Sequence, residues 1–142
     1  MNRLYTLTFS TFFLLIFNSC SKDVLKSYER RIIGTWQIKD IDGFGIGSSV
    51  NLPFSEGDLF SFSQDGKLSC TSSSGTYSGS WDIRRQFNEE ETKQSLQITA
   101  IDFNSQDVKT EYFNDLAFTT THRFKGFINN GTKTYIYHFV RE

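Results

Sequence analysis

Two histidines and two cysteines, together with the Glu89-Glu90-Glu91 run, are the side chains here with the widest chemical repertoire. An imidazole serves as general base or metal ligand, a thiolate as nucleophile, and grouped carboxylates as a cation site. Spacing decides whether they do so. Neither His122 nor His138 has a second His or Cys at metal-ligand spacing, so both read as strand histidines and no metal site is expected. The glutamate run lacks the interleaved Asp and Gly of a calcium loop and reads as a solvated face. Gly43, Gly45 and Gly47 are not followed by the Lys-Ser/Thr and helix of a phosphate loop. Ser72-Ser73-Ser74-Gly75 reads as a turn, since no Gly-x-Ser-x-Gly elbow is present. Asn130-Gly131-Thr132 matches a glycosylation acceptor, but its place in a hairpin accounts for it. No catalytic residue and no cofactor are expected, and the chain reads as non-enzymatic.

The cysteines differ in setting. Cys70 lies in Lys67-Leu68-Ser69-Cys70-Thr71, a strand-like segment in which a thiol is a small buried apolar side chain. Cys20 closes a leader that starts with one cation, Arg3, and continues through an apolar stretch from Leu4 to Phe17 to Asn18-Ser19-Cys20. That order is the layout of a secretory signal. The apolar stretch is about 14 residues, short of the about 20 that a spanning helix needs. Phe17-Asn18-Ser19-Cys20 resembles the bacterial lipobox, which implies lipid attachment at Cys20 and a chain anchored in the cell envelope, with the outer membrane expected and either face open. Several acyl chains, at about 0.8 kcal/mol per buried methylene, would make such an anchor permanent. Residues 1–19 are then a signal peptide, 20–26 a lipidated tether and 27–142 a single domain.

Without the leader the chain has about 123 residues, one domain's worth. Only Arg3 is charged in the leader, so the formal charge moves from −1 to about −2 and implies no charged partner. Nucleic acid is not expected, because no basic stripe is present to neutralise phosphates. With Cys20 lipidated, Cys70 has no partner for an internal disulfide, and stability must come from packing.

Positioning any site is the task of strands. Val24 to Ile33 carries a short helical stripe of one or two turns, after which the period changes to two. Trp36 and Ile38, Phe60 and Phe62, Leu68 and Cys70, Tyr77, Trp81 and Ile83, Leu96 and Ile98, Leu116 and Phe118, and Tyr135, Tyr137 and Phe139 each share one face of a strand. Val108, Thr110 and Tyr112 hint at one further strand in the ambiguous stretch Asp102 to Phe113. Asp65-Gly66 and Asn130-Gly131 mark hairpins. Two loops stand out, a Gly-rich one from Gly43 to Phe54 and a polar one from Gln86 to Lys93. About eight antiparallel strands, apolar on one face, predict an all-β domain in which an up-and-down barrel or a two-sheet sandwich buries that face.

Gly34-Thr35-Trp36 opening the first strand, Gly75-Thr76-Tyr77-Ser78-Gly79-Ser80-Trp81 in the middle and Tyr137-His138-Phe139-Val140-Arg141 at the end resemble the lipocalin and calycin pattern, in particular small lipocalin-like lipoproteins of Bacteroidetes. The resemblance implies an eight-stranded barrel with Trp36 plugging its closed end and Arg141 packed across the indole. It implies a bend at Gly79. It does not carry a function.

Two readings of function follow. Phe60, Phe62, Tyr77, Trp81, Phe118, Tyr135 and Tyr137, on faces read as inward, are candidates to line an interior that holds a small apolar or amphipathic ligand. Alternatively those rings fill the interior, and the protein meets an envelope protein or glycan through its two loops.

Overall fold

The computed structural model describes residues 27–47, 50–87 and 92–142. Cys20 with its leader and tether, Ser48 and Ser49, and the Glu89-Glu90-Glu91 run lie outside the described residues. The described residues are all-β apart from a five-residue helix, α1 (Tyr28–Ile32). Nine strands follow: β1 (Gly34–Gly45), β2 (Leu59–Phe62), β3 (Lys67–Ser72), β4 (Gly75–Phe87), β5 (Thr92–Asp102), β6 (Asp107–Phe113), β7 (Asp115–Thr120), β8 (Arg123–Asn129) and β9 (Lys133–Arg141). No helix among the described residues is long and apolar enough to cross a membrane.

Alternation in sequence becomes alternation in burial. β3 buries Leu68 and Cys70 between exposed neighbours, and β9 buries Tyr135, Tyr137 and Phe139. Side chains of a strand point to opposite faces in turn, so each strand gives one apolar face to the core. Gly66 and Gly131 adopt φ of 78° and 90° in the hairpins expected of them. All ladders are antiparallel, and the nine strands make one sheet in the order β6-β5-β4-β3-β2-β1-β9-β8-β7.

The sheet differs from the expected barrel in two respects. It has nine strands rather than about eight, and its ladder is open, with β6 bonded to β5 and β7 to β8. The reason lies at Asn114. Antiparallel alternation makes β6 and β7 run in the same direction, and only Asn114 separates them. At that residue the backbone leaves its β5 partner for β8: the Asn114 N–H donates to the Phe127 carbonyl at 2.7 Å, and the Asn129 N–H donates to Asn114 Oδ1 at 2.6 Å. The Gln94 N–H of β5 donates to Asp115 Oδ1 of β7 at 3.1 Å, tying the two ends of the sheet together. One stretch of chain thus forms both sheet edges.

The two loops are also shorter than expected. Gly43 to Gly45 belong to β1, paired with Tyr135 to Lys133, while Gln86 and Phe87 end β4 and Thr92 and Lys93 begin β5. Backbone pairing there overrides glycine's cost in a strand. Gly79 sits where β4 and β5 approach so closely that a Cβ would lie 1.8 Å from the Thr99 carbonyl oxygen, so it is required by lack of space.

The strand directions define two ends. The helix end carries α1, the 63–66 and 121–122 turns and the C-terminus. The loop end carries the 46–58 connection and the 73–74, 103–106 and 130–132 turns.

Candidate functional site

Trp36 and Arg141 are directly paired across β1 and β9 at the helix end. Trp36 is fully buried, and its Nε1–H donates to the Ile32 carbonyl at 2.6 Å. The Arg141 guanidinium carbon lies 4.2 Å from the indole centroid. Its nitrogens donate to the carbonyls of Ile33 at 2.9 Å, Arg31 at 2.7 Å and Thr121 at 3.2 Å. The sequence-derived pair is therefore brought together, and it fastens the helix and the 121–122 turn over the core.

The seven candidate lining residues stand at different heights along the sheet. Phe60, Phe62, Tyr77 and Tyr137 are buried, Phe60 and Phe62 stacking at 6.0 Å and Tyr137 meeting Phe113 edge-on at 5.2 Å. Trp81 packs against Phe62 at 5.7 Å, but its Nε1–H reaches the Ser63 carbonyl at the helix end. Phe118 is half-buried between Tyr28 and Phe124, each 5.1 Å away. Tyr135 stands at the loop end, where its hydroxyl accepts from the Val50 N–H at 3.0 Å. Phe60, Phe118 and Tyr137 also meet rings among Trp36, Phe113, Phe124 and Phe139, whereas Tyr77 and Tyr135 face the Lys109 and Lys133 ammonium groups at 4.5 and 5.8 Å.

Polar groups near this core carry shifted pKa values. Burial pushes the Cys70 thiol up to about 12, so it stays protonated at neutral pH. Burial likewise raises Tyr137, whose hydroxyl has no hydrogen-bond partner among the described residues. Desolvation raises Glu111, which the β6 register places on the same face as Phe113.

The loop end is different in character. Phe54 is buried there against Phe60 at 5.0 Å, so the segment around Phe54 is pinned over the core. Beside it lies a cleft of about 610 Å³ between Asn51 to Ser55, the Ser72 to Ser74 turn and the start of β6. Its walls are held by polar bonds: Tyr77 Oη donates to Asp107 Oδ2 at 2.9 Å, and Lys109 Nζ donates to Ser74 Oγ at 2.9 Å. Among the described residues five of the seven exposed large apolar side chains are at this end, namely Phe44 (56%), Ile46 (89%), Val50, Phe103 and Val108. The Gly-rich loop pointed to the first three. In the sequence Val108 marks only a further strand in the ambiguous stretch Asp102 to Phe113, and nothing marks Phe103.

On the outer wall, Asp40, Asp42 and His138 place one donor atom each within 4.8 Å of one another. Sequence spacing missed this group, since His138 has no nearby ligand in the chain. His122 is exposed, bonded through Nδ1 to Thr121 Oγ1 at 2.8 Å.

No family model matches the chain, and neither a curated protein nor a solved structure matches it.

Proposed function

We propose that the protein is a non-enzymatic, lipid-anchored binding module of a bacterial cell envelope that engages a protein partner through its loop end, with its interior serving as core. The observation that carries this reading is the distribution of apolar surface: Phe44, Ile46, Val50, Phe103 and Val108 are exposed at the loop end, where a polar cleft that Val108 helps to line also opens. Contiguous apolar exposure rimmed by polar groups marks interaction surfaces. Phe60 stacks on Phe62, and Tyr137 packs against Phe113 and Phe139, which favours a filled interior over a carrier of a small apolar or amphipathic ligand. On this reading the sheet wraps into a lipocalin-like barrel with its seam at Asn114, rather than a two-sheet sandwich, since one residue joins the sheet's two edges.

The proposed anchor gives the surface an orientation. A lipid on Cys20 is followed by residues 20–26, which at about 3.5 Å each reach about 25 Å at most. They lead to Ser27 and α1 at the helix end, so the loop end faces away from the membrane that holds Cys20. A photocrosslinking residue at Ile46, compared with one at Phe87 on the far part of β4, tests this in intact cells. A discrete protein adduct from Ile46 alone is expected. Adducts to glycan would move the reading to a glycan partner, and equal labelling from both positions would refute a loop-end surface.

A further inference from the structure

By the two-residue period of β1, Asp40 and Asp42 belong on the face of Trp36 and Ile38, which is buried. The register prevents this. Ile38 is paired with Phe139, whereas Asp40 is paired with His138, so Lys39 is an extra residue on β1. An extra residue inverts the facing of all that follows and is a bulge, a device that re-aims side chains near functional sites. It turns Ile41 toward the core and sets both carboxylates on the outer face with His138. His138 Nε2 and Asp42 Oδ2 are 2.9 Å apart, and a donor atom of Asp40 completes a group spanning no more than 4.8 Å. All three stand on paired strands rather than on a loop, so their spacing is set by the ladder.

We propose that Asp40, Asp42 and His138 bind one divalent transition-metal ion of the zinc class on the outer wall of the sheet. Two carboxylates neutralise a dication, and an imidazole selects Zn²⁺ or its neighbours over the hard cations. Zinc takes these donors at about 2.0–2.2 Å, which puts tetrahedral neighbours about 3.3 Å apart, near the 2.9 Å between His138 Nε2 and Asp42 Oδ2, with an Asp40 donor within 4.8 Å of both. Three protein ligands leave a fourth position for water or for a donor from a bound partner. Calcium, with its six to eight oxygens, is poorly served by so few donors. The group borders a hollow of about 420 Å³ that also exposes Lys39, Arg123 and Lys125. Lys125 is paired with His138 on β8, so its charge opposes the ion's and sets the affinity below that of a closed structural zinc site.

The test is calorimetric titration of the full chain in detergent, without a histidine tag and freed of metal by chelator, with ZnCl₂ and in parallel with CaCl₂. One zinc ion per chain is expected, with calcium much weaker. Asp42→Asn and His138→Gln should each weaken zinc binding at least about tenfold, or about 1.4 kcal/mol. His122→Gln should bind as the unaltered chain does. Circular dichroism of each variant checks its fold, and the more exposed Asp40→Asn gives the same readout should Asp42→Asn unfold. A shift of the His138 imidazole resonance on zinc addition, reversed by chelator, is the matching spectroscopic sign. Absence of zinc binding, binding unchanged in Asp42→Asn and His138→Gln, or equal affinity for calcium would overturn the proposal.

Discussion

Replacing Arg141 by alanine removes at least four interactions at once from the helix end. The guanidinium stacked 4.2 Å from the Trp36 centroid contributes about 0.5–2 kcal/mol. Its bonds to the carbonyls of Ile33, Arg31 and Thr121 join three segments that are otherwise separate in the chain. These carbonyls are near solvent and regain water when the arginine is lost, so each bond is valued at about 1 kcal/mol rather than at the higher figure for buried charged pairs. The sum is about 4 kcal/mol, a large share of the about 5–15 kcal/mol that holds a domain folded. In urea denaturation followed by tryptophan fluorescence, a slope of about 2 kcal/mol per molar turns that loss into a midpoint about 2 M lower. Arg141→Lys keeps the charge but not the planar fork, reaches one carbonyl and stacks poorly, and should recover about 1 kcal/mol. A loss under about 1 kcal/mol for Arg141→Ala, or complete rescue by lysine, would refute the argument that the fork closes this end.

Gly79→Ala should cost about 3 kcal/mol in the same assay, because a Cβ 1.8 Å from the Thr99 carbonyl oxygen forces β4 and β5 apart. Tyr137→Phe removes a buried hydroxyl without a partner and should raise stability by about 1 kcal/mol, whereas a loss of that size would reveal a bond the hydroxyl makes. Burial raises the folded pKa of Glu111 above its unfolded value, so its contribution is most favourable below the unfolded pKa and declines as pH rises through the folded one. Glu111→Gln should therefore be more stable than the unaltered chain at neutral pH, the difference shrinking as pH falls through the raised folded pKa and gone below the ordinary glutamate value, and a pH series of thermal midpoints checks the sign. With Cys20 replaced by serine, Cys70 should react with thiol reagents at pH 8 only as fast as the fold opens, since its thiol is pushed up to about 12.

Much of the strand framework was legible because one face of each strand is buried, which writes a period of two into the sequence. β8 was not. Its inward positions are Phe124, Gly126 and Ile128, and the glycine, present because the Phe113 ring occupies the space a Cβ would need, breaks the pattern. The pairing of Trp36 with Arg141 followed from motif ends that the resemblance matched, and the structure sets them against each other. The candidate lining residues were chosen by parity alone, which says which face a side chain takes but not its height along the strand. Trp81, Phe118 and Tyr135 consequently fall at the ends. Asp40 and Asp42 were hidden for a related reason, since a bulge is a property of two strands and parity read from one strand puts both on the wrong face.

Titration of the folded chain with a lipophilic fluorescent probe most directly tests whether recognition lies outside the interior. A filled core predicts no saturable uptake, together with unchanged probe fluorescence when Ile46 and Phe44 are replaced by serine. Saturable uptake of one probe per chain, weakened when Phe60 or Tyr137 is enlarged or made polar without unfolding, would contradict the account and restore the interior as the binding site.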